Sequence, residues 1–133
     1  MRQIFCIVCL SMILSACNSK EKIETYHATY DEEKQIAAQE ILTDNGKIEE
    51  ANIIIIDDKM LVAVQVKPWL RLKKQSIEKD ITEKLEEAFP NLELIISTDF
   101  KIFWESSKLI TEEDTQKIRD EVDNLKKLSK EET

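Results

Sequence analysis

Four consecutive isoleucines, Ile53-Ile54-Ile55-Ile56, constrain the fold more than any other stretch of this chain. β-branched side chains favour extended backbone, and successive residues of a strand point to opposite faces of the sheet. An unbroken apolar run therefore needs cover on both sides. Residues 51–56 are predicted to form a strand buried on both faces and central in its sheet. Asp57-Asp58-Lys59 then reads as a tight hairpin connection into a second strand, Met60 to Val66. Val62, Val64 and Val66 share one face of that strand, and Leu61, Ala63 and Gln65 share the other.

Helical spacing flanks the hairpin. A first helix is expected from Asp31, an N-cap residue, to about Leu42, with Ile36, Ala37, Ile41 and Leu42 as a modest apolar stripe. Thr43-Asp44-Asn45-Gly46 stops it, and the only glycine of the chain suits a left-handed position there. A single glycine also excludes Gly-rich phosphate-cradling loops. A second helix, Ser76 to Phe89, carries Ile77, Ile81, Leu85 and Ala88 on one face and charges on the other. Pro90-Asn91 ends it. A third strand follows from Leu92 to Ser97. Thr98-Asp99 caps a third helix bearing Phe100, Phe103 and Trp104.

A last helix begins after Thr111, where Glu112, Glu113 and Asp114 supply the acids that a helix N-terminus favours. Ile118, Val122, Leu125 and Leu128 form a narrow stripe that either folds back on the domain or meets a partner helix. The order is α-β-β-α-β-α with an additional C-terminal helix. It implies a mixed α/β fold, an α+β two-layer sandwich with a three-stranded sheet packed against helices on one face. With the isoleucine strand central, the spatial order is 60–66, 51–56, 92–97. The crossover through the second helix is right-handed.

The N-terminus has a different character. Residues 1–16 contain one charge, Arg2, ahead of an apolar run from Ile4 to Leu14 that is too short to span a bilayer comfortably. That is the layout of a signal peptide. Leu14-Ser15-Ala16-Cys17 resembles the lipobox of bacterial lipoproteins, with small residues at the scissile bond and Cys17 as the sulfur that receives lipid. Cys6 and Cys9 leave with the signal and Cys17 is consumed, so no free thiol remains for a disulfide, a metal or catalysis. Residues 17–30 read as the lipidated N-terminus and a polar tether, whose thirteen residues after Cys17 reach about 40 Å when extended. The domain then occupies 31–110, and an acidic helix and tail occupy 111–133.

Removing 1–16 takes away Arg2 and leaves 18 basic against 27 acidic residues, a net charge of −9. Such a chain is repelled by phosphate backbones, so no nucleic-acid partner is expected. No cofactor, metal or small-molecule substrate is expected either. The one histidine, His27, falls in the tether, and transition-metal sites need more His or Cys than this chain offers. Glu86-Glu87, Glu112-Glu113-Asp114 and Glu131-Glu132 fall on charged helix faces or in the tail, where solvation explains them better than acid–base catalysis. Asp57-Asp58 is read as a turn rather than a cation site. A hydrolase working through paired acids finds no support in the spacing.

One segment departs from the acidic background. Lys67-Pro68-Trp69-Leu70-Arg71-Leu72-Lys73-Lys74 holds four basic residues and no acid. Lys67, Trp69, Leu70, Arg71, Lys73 and Lys74 suit a membrane interface or an acidic partner. Alternatively, Trp69 and Leu72 pack under the following helix while the lysines stay solvated.

Three stretches resemble the YhcN/YlaJ family of sporulation lipoproteins: the hairpin Ile53–Ile56 with Leu61-Val62-Ala63-Val64, the helix leading into Phe89-Pro90-Asn91-Leu92, and the strand exit Ile95-Ile96-Ser97-Thr98-Asp99-Phe100. Together with the lipobox, the resemblance covers residues 31–110. It departs at Asp57-Asp58, where the family often has Gly or Asn, and it does not reach the helix after Thr111. It implies a non-enzymatic lipoprotein on the outer face of the cell membrane, in the forespore or spore. There it acts as a structural or interaction module in sporulation or germination, with an envelope or spore protein as partner and no catalytic residues. The order of elements is also similar to the phospholipid-binding BON module, by topology alone.

Overall fold

The computed structural model describes residues 22–27, through their backbone pairing, and residues 32–131. The segment read as a signal peptide, Cys17 and the expected Asp31 cap lie outside the described residues. The elements run β1 (Lys22–His27), α1 (Glu32–Asn45), β2 (Ile48–Ile56), β3 (Lys59–Val66), a 3₁₀ segment (Pro68–Lys73), α2 (Lys74–Ala88), β4 (Glu93–Ser97), α3 (Phe100–Leu109) and α4 (Thr115–Glu131). The mixed α/β class and the expected succession of elements are both present.

The sheet order is β1-β2-β3-β4. β1 is parallel to β2, β2 antiparallel to β3, and β3 parallel to β4. The three expected strands are joined by a fourth, because part of the segment read as a tether extends the sheet. This corrects the expected spatial order. The isoleucine strand is central, but β1 takes the edge expected for residues 92–97, and β4 pairs with β3 instead. His27, assigned to the tether, is the last residue of β1.

The sheet has helices on both faces, so the fold has three layers rather than two. On one side, Ala38 and Leu42 of α1 and Ile77, Ile81 and Leu85 of α2 close over Ile53, Ile55, Val62 and Val64. On the other, Ile102 and Leu109 of α3 and Ile118, Val122 and Leu125 of α4 close over Ile54, Ile56, Leu61 and Ala63. The isoleucine run already required this, because it presents Ile54 and Ile56 to the face a two-layer sandwich leaves open. The narrow stripe of α4 resolves as a fold-back. Burying three such side chains is worth about 1.5–3 kcal/mol each, which a solvated helix would forgo.

Two turns hold the ends in place. Gly46 has φ +67° after α1, the left-handed position expected of it. Asp57 has φ +52° in the hairpin, a region that Asp and Asn tolerate better than other non-glycine residues. The departure from Gly or Asn at this turn is therefore conformationally mild. β2 also begins earlier than expected. Its register shifts between Ile48 and Glu50, leaving Glu49 as an extra residue.

Candidate functional site

The pairing pattern sorts the strand termini into two ends. Lys22 lies opposite Glu50, Ile48 opposite Val66, and Ala63 opposite Ser97. The start of β1, the start of β2 and the ends of β3 and β4 therefore gather at one end of the sheet. The Asp57-Asp58 turn, Lys59, Glu93 and the end of β1 gather at the other.

The first end carries the basic segment. Pro68, with its fixed φ and no N–H to lose, stands at the start of the 3₁₀ segment that follows β3. Leu70 turns inward against the first core cluster. Trp69 is 77% exposed and Leu72 is fully exposed. The alternative in which Trp69 and Leu72 pack under the following helix is thus overturned, and Leu70 alone does the packing. Lys67 Nζ sits 5.9 Å from the centroid of the Trp69 ring, within cation–π range. Arg71, Lys73 and Lys74 form no ion pair among the described residues.

The electrostatics of this segment oppose the usual helix design. α2 starts at Lys74 with no side-chain cap from Lys73 and no acid in its first turn. Cations there face the positive end of the helix dipole. Stability alone would favour acids and a hydroxyl at these positions, as Asp99 shows for α3. Asp99 accepts from the Lys101 and Ile102 amides at 2.8 and 3.2 Å.

α3 also begins at this end, directly after β4. Phe100 is 63% exposed and Trp104, one turn on, is 56% exposed with Lys108 Nζ 5.9 Å from its ring centroid. These aromatics belong to the predicted helix. Their exposure was not legible in the sequence, because the burial of Ile102 and Leu109 selects the other face. α3 is fixed by Asn52, a buried polar residue inside the isoleucine strand. Its amide nitrogen lies 2.8 Å from Ser107 Oγ, 3.0 Å from Ser106 Oγ and 3.2 Å from the Phe103 carbonyl. Both hydroxyls donate to that same carbonyl. An asparagine interrupting an apolar run was the available signal for this contact.

The opposite end is built from opposite charges. Asp57 accepts from Arg119 Nε at 2.9 Å and Nη2 at 3.2 Å. Lys59 meets Asp123 at 2.6 Å, and Lys126 meets Glu93. The hydrogen bond from Arg119 holds the Asp57 carboxyl below its ordinary value, and the hydrogen bond to Asp123 raises Lys59. The Asp57-Asp58 turn is thus a docking point for α4.

Of the remaining acidic clusters, the one at 112–114 has structural partners. Glu112 pairs with Lys117 at 2.6 Å, which lowers its pKa. Asp114 accepts from the Gln116 and Lys117 amides. Glu86 and Glu87 are exposed on α2. Glu132 lies outside the described residues. No group of His, Cys, Asp or Glu among the described residues is placed to hold a metal ion. A groove of about 990 Å³ runs beside β4 between α2 and α4. Glu78 Oε2 in its wall accepts from Thr98 N and Oγ1 at 2.9 and 2.8 Å.

Residues 16–127 match the family model described as sporulation lipoprotein YhcN/YlaJ. The match runs past residue 110 into α4, so the C-terminal helix, expected to lie outside the family pattern, lies largely within it. Neither a curated protein nor a solved structure matches the chain.

Proposed function

We propose that this chain, which belongs to the YhcN/YlaJ family of sporulation lipoproteins, is a non-enzymatic interaction module of the spore-forming envelope. It is held on the outer face of the forespore or spore membrane by a diacylglyceryl thioether at Cys17. The observation that carries the reading is the entry of the chain into the sheet. β1 begins at Lys22, five residues after Cys17. That stretch spans at most about 17 Å when extended, not the 40 Å of a long tether. A lipid on Cys17 therefore holds the domain close against the bilayer surface, with one defined end of the sheet nearest to it.

The absence of catalysis is supported by what the side chains do. Among the described residues, the clustered carboxylates cap a helix, form an ion pair or stand on exposed helix faces. The single histidine ends an edge strand, and the only cysteine after the signal is the one assigned to lipid. The module acts by position, bringing an envelope or spore protein to the membrane during sporulation or germination.

Mass spectrometry of the mature N-terminus, combined with membrane fractionation of sporulating cells and spores, tests the reading. A diacylglyceryl-modified Cys17 in the membrane fraction, with Cys17→Ser shifted to the soluble fraction, is the expected result. A native chain in the soluble fraction, with a free thiol at Cys17 or with residues 1–16 retained, overturns it.

A further inference from the structure

We infer that the end of the sheet where β1 starts is itself a membrane-binding surface. It seats on anionic phospholipid through Trp69, Leu72 and Phe100, ringed by cations, so the domain touches the bilayer at a second place besides its lipid. The orientation, though not the surface, rests on the proposed anchor at Cys17.

Three considerations converge on this end, the first of them through the proposed anchor at Cys17. The first is position. The start of β1, the 3₁₀ segment after β3 and the start of α3 after β4 lie at the same end of the sheet by strand register, the 3₁₀ segment on the α1/α2 face and α3 on the other. The 17 Å reach from Cys17 therefore brings those segments, and not the Asp57-Asp58 turn, to the bilayer. The second is exposure. Trp69, Leu72 and Phe100 are among the few large apolar side chains left in solvent, on a fold that buries Ile53, Ile54, Ile55 and Ile56 almost completely. Tryptophan and leucine beside basic residues are the composition of interfacial segments. The third is charge. Lys67, Arg71, Lys73 and Lys74 follow one another with no acid between them, and Lys47 and Lys101 stand at the same end, where Asp44, Glu49, Glu50, Glu78 and Asp99 are the acids. The positive excess is concentrated in the 67–74 segment, on a chain of net charge −9 after signal removal. Lys47 and Lys67 are brought side by side by the Lys67 amide, which donates to the Lys47 carbonyl at 3.0 Å. An acidic body with a basic end is held off an anionic surface everywhere except at that end.

The two contacts reinforce each other. A single lipid anchor leaves the domain free to tumble within the length of its leash, and a second weak contact at the same end fixes its orientation. The Asp57-Asp58 turn and α4 then face away from the membrane.

The test uses the mature chain from residue 17 carrying Cys17→Ser, which removes the lipid and keeps the whole fold. In a Trp104→Phe background, Trp69 is the sole tryptophan. Its emission should shift to the blue with phosphatidylglycerol vesicles and stay unchanged with phosphatidylcholine vesicles. Co-sedimentation with the anionic vesicles should fall at least tenfold for Trp69→Ser with Leu72→Ser. Because both side chains are exposed, the melting temperature of that variant should match its parent, which separates lost contact from lost fold. No sedimentation with anionic vesicles, equal sedimentation with both lipids, or binding unchanged by the double substitution each overturns the inference. So does self-association of the chain that the same substitutions abolish, which would assign this end to a second copy. Native chains diacylated at Cys17 whose unlipidated form ignores vesicles would leave the anchor standing and sink only this surface.

Discussion

The two ends of the sheet treat charge in opposite ways. At the hairpin end, Asp57, Asp123 and Glu93 each meet a cation, and the pairs tie α4 to the strands. At the end where β1 begins, Arg71, Lys73 and Lys74 crowd the start of α2, where the helix dipole repels them, beside a tryptophan and a leucine in open water. The first arrangement is what local stability selects. The second disfavours the isolated domain and makes sense once a negatively charged surface stands in front of it. The contrast teaches that the end proposed here to face the membrane differs from the other by charges that the fold itself does not pair.

Exchanging the charge logic of one end gives the largest expected effect. Arg71→Glu, Lys73→Glu and Lys74→Glu together should lower affinity for phosphatidylglycerol vesicles by about a hundredfold or more, since each basic residue near an anionic surface contributes about 1 kcal/mol. The same substitutions place acids at the start of α2, so the melting temperature should hold or rise slightly. Arg119→Glu with Lys126→Glu should do the reverse, lowering the melting temperature and leaving vesicle affinity unchanged. Calorimetry and co-sedimentation on both variants read the two effects separately. If the first set lost stability in step with binding, the distinction between the ends would collapse.

Asn52 sharpens the comparison by asking how α3, and with it Phe100, is held. A buried amide with three acceptors in reach fixes α3, whereas exposed ion pairs help to fix α4. Asn52→Ala should destabilise the fold by about 1–3 kcal/mol, the usual result of leaving buried polar partners unmatched. Hydrogen exchange should show faster opening of α3 than of α4. A loss well under 1 kcal/mol, or equal loosening of both helices, would mean that packing alone positions α3.

Much of this body was legible in the sequence. The isoleucine run, the alternating valines of β3 and the spacing of Ile77, Ile81 and Leu85 specify strand and helix through their period alone. Gly46 and Asp99 mark a stop and a cap through backbone chemistry. β1 was not legible. Lys22-Ile23-Glu24-Thr25-Tyr26-His27 is polar, mixed in charge and without a clean alternation, and it becomes a strand because β2 offers it an edge to pair with. The strand order failed for the same reason, since pairing between strands is a tertiary choice that no local pattern records. The 67–74 segment stands out by composition, but the exposure of Trp69 depends on Leu70 taking the inward position. Phe100 entered the surface only when strand register showed which end of the sheet it occupies.

Asp57 supplies the smallest effect and the strictest control. Its carboxyl is held below the ordinary value of 3.8, first by the hydrogen bond from Arg119. A carboxyl depressed in the folded state stabilises the fold fully above its unfolded value, and that contribution fades as pH falls through the lower folded value. Asp57→Asn keeps a residue that tolerates positive φ at the turn, so the substitution removes the charge while preserving the hairpin. The melting temperature near neutral pH should drop by a few degrees or less, the ordinary yield of an exposed ion pair. In acid the two proteins should converge as the wild-type carboxyl takes up its proton. Vesicle binding should be unaffected, because this turn stands at the far end from the basic segment. A melting-temperature difference that persisted unchanged into acid would show that the turn, and not the Arg119 pairing, is what Asp57 supplies. A change in vesicle affinity would mean that the charged end and the paired end are electrically one surface.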